Sequence, residues 1–355
     1  MQFMNIDALT ASTPYSLPQK EKEKLFLPQL KELTAHHQRQ CPEYARLLAL
    51  FYPFSTYANI VDIPYLPVRL FKTRELSSIP EQRIFKILQS SGTTSSTPSK
   101  IFLDAETAQR QTKALADIMT AWLGPKRLPM VIIDHANVIH DRHQYNARGA
   151  AIVGMLTFGR NVFYALNENM ELDIKGLTNW LEKYQHEQIV VFGLTYLIWK
   201  YCLAPNLHLP IYNGVLFHTG GWKRLEQEAV SNERFKELVK KKLGITSCHN
   251  FYGMVEQVGS IFVECEQGRL HCPHFADVVI RHPKTWKENP VGEVGVVQAL
   301  SLLPTSYPGH SLLTEDLGVV DGIDNCPCGR KGKCFRIIGR VAKAELRGCS
   351  DTVRL

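Results

Sequence analysis

Between residues 18 and 50, apolar side chains return at close to helical spacing: Leu25, Leu27, Leu30 and Leu33, then, beyond Cys41-Pro42, Tyr44, Leu47, Leu48 and Phe51. Such a stripe predicts helix with Pro18 near its start, because positions three and four apart share one face. Pro64 and Pro67 break the pattern, so VDIPYLPVRLF reads as an extended entry to a core. Arg83 to Gln89 reads as a strand, SSGTTSSTPSK as a loop, and Asp104 to Ala121 as a helix with Asp104 as its N-cap. Strand-like runs at Met130 to Asp134, Gln188 to Gly193 and Gly214 to Thr219 then alternate with small-residue or helical stretches around 148–159, 194–203 and 225–243. This alternation predicts an α/β fold of layered sheets with some parallel pairing. From Ile261 onward the signals are short strands (IFVEC, ADVVIRH, GEVGVVQALS, GVVDG, CFRIIGR), a smaller C-terminal β subdomain. The chain therefore divides into a helical segment plus α/β core over 1–260, a β-rich subdomain over 261–340 and a short tail over 341–355.

Composition narrows the function classes. Of 355 residues, 45% are hydrophobic and 21% charged, as in an ordinary globular protein. No run approaches the roughly 18 apolar residues of a membrane span, and no basic n-region with an apolar run opens the chain, so the expected location is cytoplasmic. The net charge of +7 is modest, and Lys240-Lys241-Lys242 closes a helix-like stretch where cations favour the helix dipole. No basic face with interleaved aromatics is present, which argues against nucleic acid; an anionic substrate suits the balance. G-x-S-x-G and H-E-x-x-H are absent, so hydrolase readings lack support. His135, His140 and His218 read as satisfied core or loop histidines.

Nine cysteines without an export signal point to metal or thiol chemistry, and six of them lie from Cys265 onward. Cys265-x5-His271 and Cys326-x-Cys328 offer four ligands for a tetrahedral zinc, with Cys272, His274 and Cys334 as rivals. Its role would be structural, a staple between two hairpins.

The stretch Ser90-Ser91-Gly92-Thr93-Thr94-Ser95-Ser96-Thr97-Pro98-Ser99-Lys100 sits between a strand and a helix. Small residues let backbone N–H groups approach a polyphosphate, hydroxyls donate to its oxygens and Lys100 adds charge. The spacing is not that of a Walker A loop, and alone the stretch reads equally as a polar linker.

S-S-G-T-T-x-x-x-P-x-K resembles the phosphate loop of the adenylate-forming superfamily, which includes acyl-CoA ligases and peptide-synthetase adenylation domains. The likeness recurs in order. Asn250-Phe251-Tyr252-Gly253-Met254-Val255-Glu256 resembles Y-G-x-T-E, with Val255 in place of Thr. Leu313-Thr314-Glu315-Asp316-Leu317-Gly318 resembles T-G-D-L-G, with Glu315 in place of Gly, and Ile338-Gly339-Arg340 resembles the G-R before the hinge. The resemblance implies an adenylate-forming core in which Glu256 holds Mg²⁺, Tyr252 and Gly253 line the nucleotide or acyl pocket, Asp316 binds the ribose hydroxyls and Arg340 lies near ribose or phosphate. Tyr65 to Lys72 and Phe217-His218-Thr219-Gly220-Gly221-Trp222-Lys223 look like segments of the LuxE-type acyl-protein synthetases, long-chain-fatty-acid–luciferin-component ligases. In that family Gly220 and Gly221 would let backbone approach the nucleotide, while Trp222 reads as readily as core.

Membership would imply ATP-dependent activation of a fatty acid, then transfer to an enzyme cysteine near the C-terminus, here Cys349, feeding an acyl reductase partner. Arg347 beside Cys349 would favour the thiolate. The C-P-C-G-R segment resembles phenylacetate-CoA ligases, some of which carry a structural zinc. The chain stops 15 residues after Arg340, so the usual lid and its lysine are expected to be missing, with Lys100 or Lys343 as substitutes. Two alternatives remain: a free-standing acyl- or aryl-CoA ligase, and an inactive zinc-stapled partner-binding subunit.

Overall fold

A computed structural model describes residues 6–9, 12–53, 56–90, 97–139, 147–205 and 207–341. They form two compact units, one of residues up to 90, 97–124 and 253–341, the other of residues 125–252. Among the described residues no helix is long and apolar enough to cross a membrane.

The first unit opens with helices Gln19–Gln40 and Pro42–Phe51, split at Cys41, whose extended backbone lets Pro42 start the second helix where a missing N–H costs nothing. The longer helix turns Lys22, Phe26, Leu30, Leu33, Thr34 and His37 inward, while Leu25 is 52% exposed. Its buried face is thus partly polar, and the apolar stripe marked the wrong register at its first turns. Strand β1 (Leu66–Pro67) leads to a short turn of helix, and β2 (Lys86–Gln89) pairs antiparallel with β3 (Lys100–Leu103). Arg83, expected to open that strand, instead closes the 3-10 turn Glu81–Arg83, and the strand begins at Lys86. Helix Ala105–Leu123 follows, with Asp104 accepting the Thr107 N–H at 2.8 Å, and Gly124 ends it at φ +77°.

The second unit is a parallel sheet. Strands β4 (Leu128–Ile133), β5 (Gly159–Tyr164), β6 (Ile189–Leu194), β7 (Gly214–Thr219) and β8 (Ser247–Tyr252) lie in the order β5-β4-β6-β7-β8. Continuously buried β6 fits a strand covered on both faces, as parallel sheets require. Helix Asn232–Leu243 starts at the Ser231 cap and ends at Gly244 in the left-handed region, with Lys240, Lys241 and Lys242 in its last turn as anticipated.

The chain then returns to the first unit. Strands β9 (Phe262–Glu264), β10 (Leu270–His271), β11 (Ala276–Arg281), β12 (Gly295–Ser301), β13 (Ser311–Ile323) and β14 (Lys333–Arg340) run antiparallel in the order β11-β12-β13-β14-β10-β9. Strand β1 lies parallel on β13, Leu66 opposite Leu312. The T-E-D-L-G and GVVDG stretches, separate in the sequence reading, belong to one 13-residue strand.

Two buried polar clusters hold the long helix to these strands. Asp277, on β11, takes a Gln19 amide hydrogen bond at 2.8 Å and lies 3.3 Å from Lys22 and 3.9 Å from Lys333. These two cations hold its carboxyl below the usual range despite burial. The second cluster stacks His37 on His310 with ring centroids 5.1 Å apart. His37 must donate through Nε2 to the Pro304 carbonyl (3.2 Å), so its Nδ1 accepts from Ser78 at 2.7 Å. Thr34 donates to the Leu30 carbonyl, so it accepts from His310 Nε2 at 3.0 Å. Burial keeps both rings neutral at neutral pH, which is the state these donor and acceptor roles describe.

Burial lowers the His310 pKa to about 3 and holds His37 well below its ordinary value, where neighbouring His310 and His36 lower it further. The unfolded chain binds these protons near pH 6.5, so their contribution to stability is complete above that pH and is lost as pH falls toward the folded values. Thermal melts from pH 7.5 to 4.5 should show a falling midpoint, and the pair His37→Gln/His310→Gln should flatten that slope below pH 6.5 relative to its own neutral-pH value.

Candidate active site

The phosphate-loop candidate hangs from the β2–β3 hairpin. Gln89 pairs with Lys100, and the neck is closed by Ser90 N–H to the Ser99 carbonyl (3.1 Å) and Ser99 N–H to Ser90 Oγ (2.8 Å). Ser91, Gly92, Thr93 and Thr94 lie outside the described residues, as do His140, Lys343, Arg347 and Cys349. Lys100 pairs with exposed Glu75 at 3.1 Å.

Glu256 sits on the 3-10 turn Val255–Gln257 and is 7% exposed. Its neighbours fix the turn: Tyr307 Oη donates to the Glu256 carbonyl at 2.9 Å, and Gln257 Nε2 donates to the Ala299 and Gly309 carbonyls at 3.0 and 2.8 Å. Gly309 is required there, since a Cβ would lie 2.8 Å from the Glu256 carbonyl oxygen. Burial raises the Glu256 pKa; Ser99, at the loop neck, lowers it in part, and the charge of Glu315 raises it. The carboxyl thus lies beside the neck of the loop, in the setting a cation would favour by restoring the charged form.

On β13 and β14, Asp316 stands opposite Arg340 in register. Arg340 Nη2 donates to Glu315 Oε2 at 3.1 Å, and its Nε lies 3.4 Å from Asp316 Oδ1. Arg69, just after β1, donates through Nε to the other Glu315 oxygen. The residue that breaks the T-G-D-L-G pattern therefore pairs with two arginines. Its partner Arg69 belongs to the Tyr65 to Lys72 segment noted in the sequence, but nothing in local spacing joins them.

In the second unit, Gly220 takes φ +84°, a conformation suited to glycine, and a Cβ at Gly221 would meet nothing within 4 Å. The turn is braced from beneath. Thr195 Oγ1 donates to the Thr219 carbonyl at 3.2 Å and accepts from His218 Nδ1 at 2.9 Å, and Thr219 Oγ1 donates to the Phe251 carbonyl at 2.9 Å. His218 is buried and neutral, its pKa lowered to about 3 by burial, as expected of a core histidine. Trp222 packs edge-on against Trp199 and Phe235 on the core of this unit, and Tyr252 closes β8 half-buried. At the end of β4, Asp134 forms a buried bidentate pair with Arg148, through Nε at 2.6 Å and through Nη2. Asp134 ends the strand expected from the sequence, but no local spacing points to Arg148, 14 positions on. Replacing Asp134 by Ala should cost about 3–5 kcal/mol in urea titration by leaving a buried guanidinium without its anion.

The four predicted metal ligands converge within the first unit. The ligand atoms of Cys265, His271, Cys326 and Cys328 all lie within 4.8 Å of one another. Cys265 Sγ and Cys326 Sγ are 3.8 Å apart, and Cys328 Sγ is 3.3 Å from His271 Nε2. A tetrahedral zinc with bonds of about 2.3 Å to sulfur demands S···S separations near 3.8 Å, so the donor set fits that ion. His271 is neutral, its pKa lowered to about 4 by burial and then by Arg330. Burial pushes the Cys265 thiol up to about 12. At Cys328 burial acts the same way, but the Arg330 backbone and guanidinium outweigh it and hold the pKa low. Arg330 is itself anchored 3.8 Å over the Trp122 ring and 3.1 Å from Glu266. The rivals do not join this set: Cys334 gives its thiol to the Gly322 carbonyl at 3.5 Å, and Cys272 lies near Asp277 and the two lysines.

Residues 3–354 match the model of a family described as "Acyl-protein synthetase, LuxE". A long-chain-fatty-acid–luciferin-component ligase from Vibrio harveyi is 21% identical over 358 residues, covering 97% of this chain and 91% of the relative. Among solved structures, 2-hydroxyisobutyryl-CoA ligase in an open conformation with its acyl-adenylate and CoA superposes with a TM-score of 0.69 at 18% identity, over 94% of this chain and 79% of the other. The same ligase in its postadenylation state gives 0.69 at 18%, over 92% and 70%. These structural likenesses show that the chain shares the α/β fold of that ligase.

Proposed function

From the premise that this chain belongs to the LuxE acyl-protein synthetase family, and so is a ligase, we propose that it activates a long-chain fatty acid with ATP and Mg²⁺ and passes the acyl group to its own Cys349. What supports the reading is that Glu256, whose carboxyl feels Ser99 and the charge of Glu315, and the Asp316–Arg340 pair all belong to the first unit. These are the positions at which the adenylate-forming resemblance expects cation, phosphate and ribose contacts.

In the first half-reaction a carboxylate oxygen of the acid attacks the α-phosphorus of ATP. The bond from that phosphorus to the bridging oxygen breaks, and pyrophosphate leaves. Hydroxyls and backbone N–H groups of Ser90, Ser91, Gly92, Thr93 and Thr94 cradle the phosphates, with Lys100 as the nearby cation. Asp316 accepts from the ribose hydroxyls, Arg340 offsets charge, and Gly220, Tyr252 and Gly253 admit the nucleotide. A Mg²⁺ held by Glu256 would supply charge neutralisation on the phosphates. In the second half-reaction the Cys349 thiolate attacks the acyl carbon, the bond to the phosphate oxygen breaks and AMP leaves. A thioester stands at the oxidation level a reductase partner can take to an aldehyde.

Incubation with ATP and radiolabelled fatty acid, without CoA, tests the acceptor. The expected product is a hydroxylamine-labile label on the protein that disappears in Cys349→Ser. Label that requires CoA and appears only on CoA would replace this reading with a CoA ligase, and absence of any acid activation would support an inactive binding subunit.

The Cys265, His271, Cys326 and Cys328 set supports a structural zinc, which would join the turn after β9 to the turn between β13 and β14. Metal analysis should find about one zinc per chain, lost in Cys326→Ser together with a drop in melting temperature of several degrees. A metal-free wild type with an unchanged melting curve after chelation would refute it.

A further inference from the structure

Three of the candidate zinc ligands sit on two turns, Cys265 just after β9 and Cys326 with Cys328 between β13 and β14, and one arginine reaches both turns. Arg330 follows Cys328 by two positions. Its backbone N–H and its guanidinium both donate to the Cys328 sulfur, and the guanidinium lies 3.1 Å from Glu266, the neighbour of Cys265. The guanidinium stands 3.8 Å over the Trp122 ring, at the end of helix Ala105–Leu123. Trp122 is fixed in turn, its Nε1 donating to Tyr15 Oη at 3.2 Å, and buried Tyr15 meets the His271 ring edge-on with centroids 6.2 Å apart. The Lys331 N–H donates to the Tyr15 carbonyl at 2.9 Å and holds the backbone next to Arg330.

Three thiolates and a neutral imidazole around Zn²⁺ leave a net negative charge. Cys265, His271 and Cys326 are all buried, so that charge needs an offset close by. Glu266 is 58% exposed, and its pair with Arg330 adds little stability by itself. The pair directs the guanidinium. A guanidinium stacked on an indole face points its N–H groups outward in its own plane, here toward a sulfur and a carboxylate from different turns. A lysine ammonium has neither the plane to stack nor the fork to divide. Arg269, a second cation of this region, gives its side chain to Cys334, outside the donor set.

We propose that Arg330 is a positioning residue of the metal centre: seated on Trp122, it holds Cys328 toward the other three ligands and offsets the negative charge of a three-cysteine, one-histidine site. This inference rests on the zinc reading given above. Arg330 does not itself ligate the metal, and removing such an outer partner lowers affinity while every ligand stays in place.

The test uses the full chain as wild type, Arg330→Gln, Arg330→Lys and Arg269→Gln. Zinc affinity is read by competition with a chromophoric chelator, and ligand geometry by the visible spectrum of the cobalt-substituted protein. Arg330→Gln should bind zinc about tenfold to a hundredfold more weakly and keep the tetrahedral cobalt bands. Arg330→Lys should recover only part of that loss, and Arg269→Gln should bind zinc much as wild type does. A wild-type chain that binds no zinc would remove the zinc reading, and this inference with it. Equal zinc affinity in wild type and Arg330→Gln would overturn the role of Arg330 alone. So would loss of the tetrahedral bands in Arg330→Gln, full affinity in Arg330→Lys, or an Arg269→Gln as impaired as Arg330→Gln.

Discussion

The antiparallel ladder between β13 and β14 is the constraint on which the first unit depends. It runs from Asp316 opposite Arg340 to Ile323 opposite Lys333, and the turn beyond carries Cys326 and Cys328. Side chains alternate faces along a strand, so a slip of one residue would move every one of them to the other side. Two irregularities, at Leu317/Gly318 and Val320/Gly322, shift the alternation, and side-chain contacts then help to hold the register. Asp321 supplies one, with a bidentate pair to Arg336 at 2.7 and 2.8 Å. Asp324 supplies another, accepting the Gly332 N–H at 2.7 Å and the Gln19 N–H at 3.0 Å. The proposed zinc would be the strongest, because it would clamp the turn to β10 and to Cys265.

The same ladder explains why the proposed chemistry sits where it does. Strand β1 lies parallel on its outer part, which brings Arg69 to Glu315, and Gln257 and Tyr307 lock the Glu256 turn to β12 and the segment after it. A buried Glu256 is costly to ionise alone. That cost is a reason for a cation to bind there, and it makes the site one whose charge depends on its ligands.

Elements with a strong local signature were legible in the sequence. Asp104 caps its helix through Thr107 as its residue type predicts, β7 spans the expected Gly214–Thr219, and the C-x-C and Cys-x5-His spacings did bring four ligands together. What stayed hidden was polar and distant. Lys22, Thr34 and His37 face inward because Asp277, His310 and Ser78 wait for them, and a hydrophobic stripe says nothing of such partners. Leu25 was assigned to the wrong face for that reason. Glu315 looked like a departure from a pattern, and its meaning lies in Arg69, 246 positions away. The order of the motifs along the chain identified the family; the ion pairs needed the fold.

Acyl-adenylate formation is the step proposed for Glu256, Asp316 and Arg340 of the first unit. Fatty-acid-dependent exchange of labelled pyrophosphate into ATP measures that step without reference to the final acceptor. Exchange should need both Mg²⁺ and a long-chain acid, and should be lost in Glu256→Gln while the melting temperature holds. A folded wild-type chain that gives no exchange with any fatty acid, or a Glu256→Gln variant that exchanges normally, would contradict it.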